Sequence, residues 1–380
     1  MTSYARTEAA TEALERFVSD DLSALAKTHA ASAAHGVAAT RDELLCDVRM
    51  GKAQLAPIER ALPGLKDGEP IFDLASVTKP LVPVTLSMQA VTQGKIALDT
   101  PLSEVLPDWD NRATFQQLLN HTSGLPAWYK YYLEHPIFHD DPKAWRTQRE
   151  VVLKRARGAE KHPAGEVYAY SDLGYMTLMV VLEEVFGRPL DALANDQIFA
   201  PLGMNHTRYV NLLAGDAPIA DAVTTEICPV RGPVTGLVHD ENTMVLGGVS
   251  GHAGVFGTAS DLLLFCRALL DIDAGAAKTA DVLGISTEVL HAFWSRDTMG
   301  AGGHHLAGWD TPSGQRSSAG RGFSRETSVG HLGFTGTSIW MDRERETIAI
   351  LLTNRVHPTR ENPLIFDMRV AFHEAILPPS

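Results

Sequence analysis

The sequence predicts an α+β fold: an antiparallel sheet flanked by terminal helices, with a mainly helical domain inserted into it. Three observations lead there. Short β-type runs separated by turn residues occur near the N-terminus (33–51) and again near the C-terminus (328–354). The stretch between them is dominated by helical periodicity. Helical patterns also open and close the chain. The division expected is 1–80 with 255–380 as one discontinuous α/β domain and 81–254 as the inserted helical domain, with the active site between them.

Each element has its own justification. Ala10, Leu14, Phe17, Val18, Leu22 and Leu25 recur at helical spacing and predict a helix over 7–27. "AAHGVAATR" and "ELLCDVRMG" read as strands joined by a turn at Arg41-Asp42, and "GKAQLAPIERALPGLKDGEP" as a loop. Proline is tolerated in the first turn of a helix, so Pro80 places a helix start near Ser76 or Val77. Pro83 lies too deep for a regular helix and predicts a bend or 3₁₀ turn, and Gly94 ends the element. "ALDTPLSEVLPDW" is an extended connection. "TFQQLLNHTSG" is a short helix stopped by Ser123-Gly124.

Residues 128–187 read as mostly helical, broken by the loop "KHPAGEVYAYSD", with an apolar helix over 177–186. "LDALANDQIFAPLGM" is a further helix ending before Pro201, and 208–250 is rich in loops. Ser260 is placed to cap the helix over "DLLLFCRALL". "SVGHLG", "GTSIWMDR" and "ETIAILLTN" are strands, closed by a helix over 362–376.

Composition narrows the function. With 44% hydrophobic and 21% charged residues, the chain of 380 residues has the make-up of a globular protein. A formal charge of −13 argues against a nucleic-acid partner and against anionic membrane surfaces. No stretch approaches the ~20 apolar residues of a membrane span. The N-terminal residues lack an apolar signal segment, so a cytoplasmic location is expected, or a periplasmic one if a leader has been removed. Cys46, Cys228 and Cys266 suggest no disulfide framework. His252, His304 and His305 lack metal-ligand spacing, so neither metal nor cofactor is expected. "GVSGH" around Ser250 misses the G-x-S-x-G nucleophile elbow at its last position.

Ser76-Val77-Thr78-Lys79 puts a hydroxyl and an amine on one face of a helix's first turn. Serine is a weak nucleophile without a base in reach, and a lysine serves if burial or a neighbouring cation lowers its pKa. Free N–H groups at the same turn would face an oxyanion. Taken alone the motif is short, and a capping serine beside a solvated lysine explains it as well. In "YAYSDLGY", Tyr170 precedes a helix cap at Ser171-Asp172, and in "GHLGFTGT", His331 and Gly333 lie in a strand that a substrate backbone could approach.

Together "SVTK", "YSD" and "HLG" resemble, in order and spacing, the S-x-x-K, Y-x-N and K-T-G elements of the serine β-lactamase and penicillin-binding-protein-like hydrolases. "LLNHTSGLP", "FAPLGMNHT", "GHAGVFGTASDLLLF" and "GFTGTSIWMDRE" are similar to the branch containing class C β-lactamases, D-alanyl-D-alanine carboxypeptidases and β-lactamase-like esterases. The resemblance runs from about residue 30 to the C-terminus and implies a β-lactamase/transpeptidase-like fold. It implies Ser76 as nucleophile, Lys79 as its proton acceptor and Tyr170 as the group that protonates the leaving atom. The N–H groups of Ser76 and Phe334 would form the oxyanion hole, and Asp172, His331 and Gly333 would contact substrate.

Two positions depart from the pattern: Asp172 stands for the asparagine and His331 for the lysine. A neutral His331 would hold a carboxylate less well and a neutral ester better, with Arg355 as the alternative cation. The expectation is a cofactor-free acyl-enzyme hydrolase acting on a small molecule or peptide, esterase-like or peptidase-like. A β-lactamase, a carboxypeptidase or a silent penicillin-binding sensor are the alternatives.

Overall fold

The computed structural model describes residues 2–25, 27–63, 68–109, 112–139, 141–159 and 161–379. Its central sheet has six antiparallel strands in the spatial order Arg60–Ala61, Leu44–Gln54, Ala33–Ala39, Thr347–Thr353, Ser338–Asp342, Ser328–Leu332. The two ends of the chain meet at its middle, where Ala34 lies opposite Thr353 and Ala39 opposite Ile348.

The two-residue alternation of strands sets the layers. Ile348, Ile350 and Leu352 face one core with Val37, Ile339 and Met341, under the helix Ala259–Asp273, which supplies Leu262, Phe265 and Leu269. Ala349 and Leu351 face the other core with Ala34, Ala38 and Trp340, under the helices Ser3–Glu15 and Ile365–Ile376 through Leu14, Met368 and Phe372. Alanines dominate this second face of the first strand, and Gly36 completes it. A Cβ at Gly36 would stand 2.5 Å from the Phe372 ring, so a bare backbone is what lets the C-terminal helix lie flat on the sheet.

The helix Asp172–Phe186 is buried on almost every side and anchors the helical part. A small sheet, Phe72–Asp73 with Val255–Gly257 and Arg208–Tyr209, ties the segment leading to Ser76 to the chain around residue 250.

Several boundaries differ from expectation, each for a local reason. The first helix stops at Glu15, not Lys27, and the chain folds back so that Val18 pairs with Ala31. Asp21 Oδ1 accepts from Ser23 N–H at 2.8 Å and Ser19 Oγ from Asp21 N–H at 3.1 Å, a side-chain competition that breaks helices. The 51–70 loop contributes strand at Leu44–Gln54 and Arg60–Ala61, and its residues 64–67 lie outside the described ones.

Around Ser76 the chain makes a 3₁₀ turn, Ala75–Val77, then a wide π turn, Pro80–Val84, before the α-helix Thr85–Thr92. Pro83 has no N–H to continue an α-helix, and the hydroxyls of Thr85 and Ser87 bond the carbonyls of Pro80 and Pro83 instead. The run Leu190–Leu202 likewise passes through Pro201 by way of a wide turn at Asn195–Phe199. Thr258, not Ser260, caps the helix Ala259–Asp273, and Pro142–Arg157 is the helix within the 128–187 region. The helix starting at Asp172 begins a turn earlier than 177, because Ser171 caps it.

Phe372→Ala leaves a cavity under the sheet and is expected to cost about 3–5 kcal/mol, read from the midpoint of urea unfolding. A loss below about 1 kcal/mol would mean that the helix is not held by this ring.

Candidate active site

The turn that carries Ser76 is built by a buried carboxylate. Ala75 has φ +47°, an uncommon conformation for a residue with a side chain. Asp73 holds it there: its Oδ1 accepts from Ala75 N–H at 2.8 Å, and its Oδ2 accepts from His239 N–H at 2.7 Å. Thr335 Oγ1 donates to Asp73 O and Thr337 Oγ1 to Leu74 O, strapping the turn to the chain beyond the edge strand. Gly333 makes that approach possible, since a Cβ there would stand 2.6 Å from Leu74 O and 2.0 Å from Thr337 Oγ1.

On this turn Ser76 is half-buried, and its Oγ accepts a hydrogen bond from Lys79 Nζ at 3.0 Å. Lys79 is fully buried and also donates to Asp172 Oδ1 at 2.7 Å and to the His252 carbonyl at 3.3 Å. Burial works to discharge this ammonium, but the Asp172 carboxylate, seconded by Tyr170, outweighs it and leaves the lysine pKa above its ordinary value. A lysine made basic by desolvation, as the sequence suggested, is therefore not what the fold provides: Asp172, expected to touch substrate, sits on Lys79 and keeps it charged. Its carboxylate also borders the cavity.

Tyr170 lies over the same ammonium, with Nζ 4.7 Å from the ring centroid. Burial raises its pKa, and the charge of Lys79 works in the opposite direction. His121 fixes this segment: its Nδ1 accepts from Ser171 N–H at 3.0 Å, its carbonyl accepts from Ala169 N–H, and its ring lies 4.5 Å from that of Tyr170. Among the described residues neither the Ser76 nor the Phe334 N–H has an acceptor, as an oxyanion hole requires.

His331 is buried, with Nδ1 2.9 Å from the Leu332 carbonyl. Burial, then Lys79, pushes its pKa down to about 3, so it is uncharged at neutral pH. The cations of this wall are arginines. Arg369 donates to the carbonyls of Gly333 and Thr337, and Arg355 to those of Phe334, Arg360 and Asn362. Neither has a carboxylate partner among the described residues, and burial lowers both, Arg369 to about 9 and Arg355 to about 10.

Ser76, Tyr170, Asp172, His331, Arg355 and Arg369 border one cavity of about 660 Å³. Its carboxylates are spoken for: Asp240 pairs with His252, Glu241 with Arg360, and Asp310 with His304. The donor atoms of His304, His305 and Asp310 lie within 4.8 Å of one another, whereas His252 is committed to Asp240.

Sequence reasoning missed Asp73, Tyr168, Asp310 and Arg369 as parts of this site. Asp73 carried a signal, a carboxylate between apolar neighbours three residues before Ser76. Arg369 carried none, because it sits in a helix whose pattern reads as a sheet-packing face.

The family model described as Beta-lactamase matches residues 64–370, and the chain belongs to that family. It is 28% identical over 333 residues to the N-acetylmuramyl-L-alanine amidase of Bacillus subtilis (strain 168), covering 78% of this chain and 71% of that one. It is 26% identical over 327 residues to a putative D-alanyl-D-alanine carboxypeptidase of Escherichia coli (strain K12), covering 78% and 73%. Its fold is similar to that of EstCE1, a hydrolase with promiscuous acyltransferase activity, at a TM-score of 0.67 and 18% identity over 98% of this chain and 99% of that one. The family and these relatives make it an enzyme of the β-lactamase-related hydrolase superfamily. No helix of the described residues is long and apolar enough to cross a membrane.

Asp172→Asn removes the charge that raises Lys79. The limb of the pH–rate profile governed by Lys79 is expected to move to lower pH by about 1–3 units, whether the charged or the neutral amine is the working form. An unmoved limb would mean that Asp172 does not set the lysine's protonation.

Proposed function

We propose that the chain hydrolyses an ester or amide through an acyl-enzyme on Ser76. The observation that carries the reading is the fully buried Lys79, hydrogen-bonded at once to Ser76 Oγ and Asp172 at the edge of an open cavity. In this reading Ser76 Oγ attacks the carbonyl carbon. Its proton passes to Nζ as Nζ gives one to Asp172, so the buried charges cancel throughout. The carbonyl oxygen becomes an anion held by the N–H groups of Ser76 and Phe334. Tyr170 protonates the leaving atom and is recharged through Lys79 from Asp172. Water then enters by the same route and releases the acid.

The substrate favoured is an amide or ester carrying a carboxylate near the scissile bond, the peptidase-like half of the expectation. Support comes from Arg369 and Arg355, which form no ion pair with a carboxylate among the described residues, beside Gly333 and Phe334. They supply the cation that His331 does not. The names of the amidase and carboxypeptidase relatives point the same way. A neutral ester is the second reading, favoured by the uncharged His331.

The test compares N-acetyl-D-alanyl-D-alanine, its C-terminal amide, nitrocefin and p-nitrophenyl acetate in wild type and Arg369→Gln. The acid is expected to outperform its amide. Arg369→Gln should raise KM for the carboxylate substrates by about 10- to 100-fold, the worth of a hydrogen bond to a charged group, and leave the acetate ester nearly unchanged. Equal turnover of acid and amide, with the neutral ester preferred, would overturn the carboxylate reading in favour of the second.

A further inference from the structure

One wall of the cavity carries four side chains that the proposed chemistry does not use: Tyr168, His304, His305 and Asp310. They form a single hydrogen-bonded chain. Asp310 Oδ1 lies 2.6 Å from His304 Nδ1 and also accepts from Thr311 N–H at 2.7 Å. The Tyr168 hydroxyl lies 3.4 Å from His304 Nε2 and 2.6 Å from His305 Nδ1.

The chain has a direction. Asp310 can only accept, so His304 presents Nδ1–H to it, and this bond raises the histidine's pKa and favours the imidazolium. The distances fix the next link: the Tyr168 hydroxyl lies 2.6 Å from His305 Nδ1 but 3.4 Å from His304 Nε2, so the short bond is the one that takes its proton. Tyr168 then has one proton to give, and it goes to His305 Nδ1. His305 is buried, and burial pushes its pKa down to about 3, so it is a neutral ring. A neutral imidazole that accepts at Nδ1 carries its proton on Nε2. Among the described residues that Nε2 has no protein partner. The ring borders the cavity, with its centroid 5.3 Å from that of Tyr170.

We propose that His305 is a substrate-binding residue: an uncharged Nε2–H donor for an uncharged oxygen acceptor, an amide carbonyl or hydroxyl, on the acyl part of the substrate. Tyr168, His304 and Asp310 are positioning residues that lock its tautomer. The division of labour follows from charge. An anionic group is drawn to the arginines, whereas a neutral donor rewards a neutral oxygen without attracting water or buffer anions as strongly. Successive hydrogen bonds in one direction polarise each other and strengthen the last donor. The histidine nitrogens that a metal ion would need are already engaged in this chain, apart from the one facing the cavity. The proposal rests on Ser76 as the acylated residue.

Two measurements on the full-length protein test it separately from that reading. Nitrogen-15 NMR of histidine-labelled protein should show His305 protonated at Nε2 and bare at Nδ1, and Tyr168→Phe should mix the two tautomers. A bare Nε2 in the wild type would overturn the proposal whatever Ser76 does. The second uses acetamidomethylboronic acid and propylboronic acid, which both cap a reactive serine and differ in the amide acceptor. The wild type should prefer the acetamido compound by about 3- to 10-fold, the worth of an uncharged hydrogen bond. His305→Leu should erase that preference, and His305→Gln, which restores a donor near Nε2, should recover most of it. A preference unchanged in His305→Leu would overturn the proposal. Failure of both boronates to bind the wild type, with the expected tautomer seen, would count against Ser76 and not against His305.

Discussion

A lysine ammonium with no access to water has to be balanced, and the contact between Lys79 and Asp172 is where this protein does so. Breaking one side of a buried ion pair typically costs about 3–5 kcal/mol, because the other charge is left stranded. The pair therefore constrains the arrangement of three separate stretches of chain. Lys79 comes from the turn after Ser76, Asp172 from the start of the most buried helix, and the third acceptor from the His252 carbonyl. The Asp240–His252 pair and Ser250 hold that carbonyl's residue in turn. An asparagine in place of Asp172, as in the β-lactamase pattern, would position the lysine without neutralising it.

The second constraint is the conformation of Ala75. A positive φ in a residue with a side chain persists only where the surroundings over-determine it, and such strain gathers at functional sites. Here the surroundings are Asp73 on one side and Thr335 and Thr337 on the other. The same strap carries Phe334 to Ser76, so their two N–H groups, without acceptors among the described residues, share one scaffold. The site's geometry thus depends on a carboxylate, Asp73, that does not itself border the cavity.

Much of this was legible from residues. Pro80 located the turn at Ser76, and "ETIAILLTN", bounded by turns, read as a strand. The order of "SVTK", "YSD" and "HLG" brought three distant stretches into one site. What could not be read was pairing. Whether Lys79 is charged depends on Asp172, 93 residues away in sequence. Whether a histidine at position 331 leaves the wall without a cation depends on Arg369, whose helix pattern records only that it packs on the sheet. Boundaries failed where side chains intervened, as at Ser19 to Ser23, or where prolines forced wide turns. The helices Ala277–Leu283 and Thr287–Phe293 escaped notice because each is only two turns long.

The cavity thus combines a serine beside a charge-balanced lysine, an arginine wall and a histidine wall of opposite character. The central claim is that Ser76 becomes covalently acylated during turnover. Its most direct measurement is rapid-quench mass spectrometry with p-nitrophenyl acetate, followed by proteolysis to locate the acyl group. The expected result is a burst of one p-nitrophenol per chain, matched by one acetyl group on the peptide that contains Ser76. Turnover with no acyl adduct, or with the adduct on another nucleophile, would contradict it.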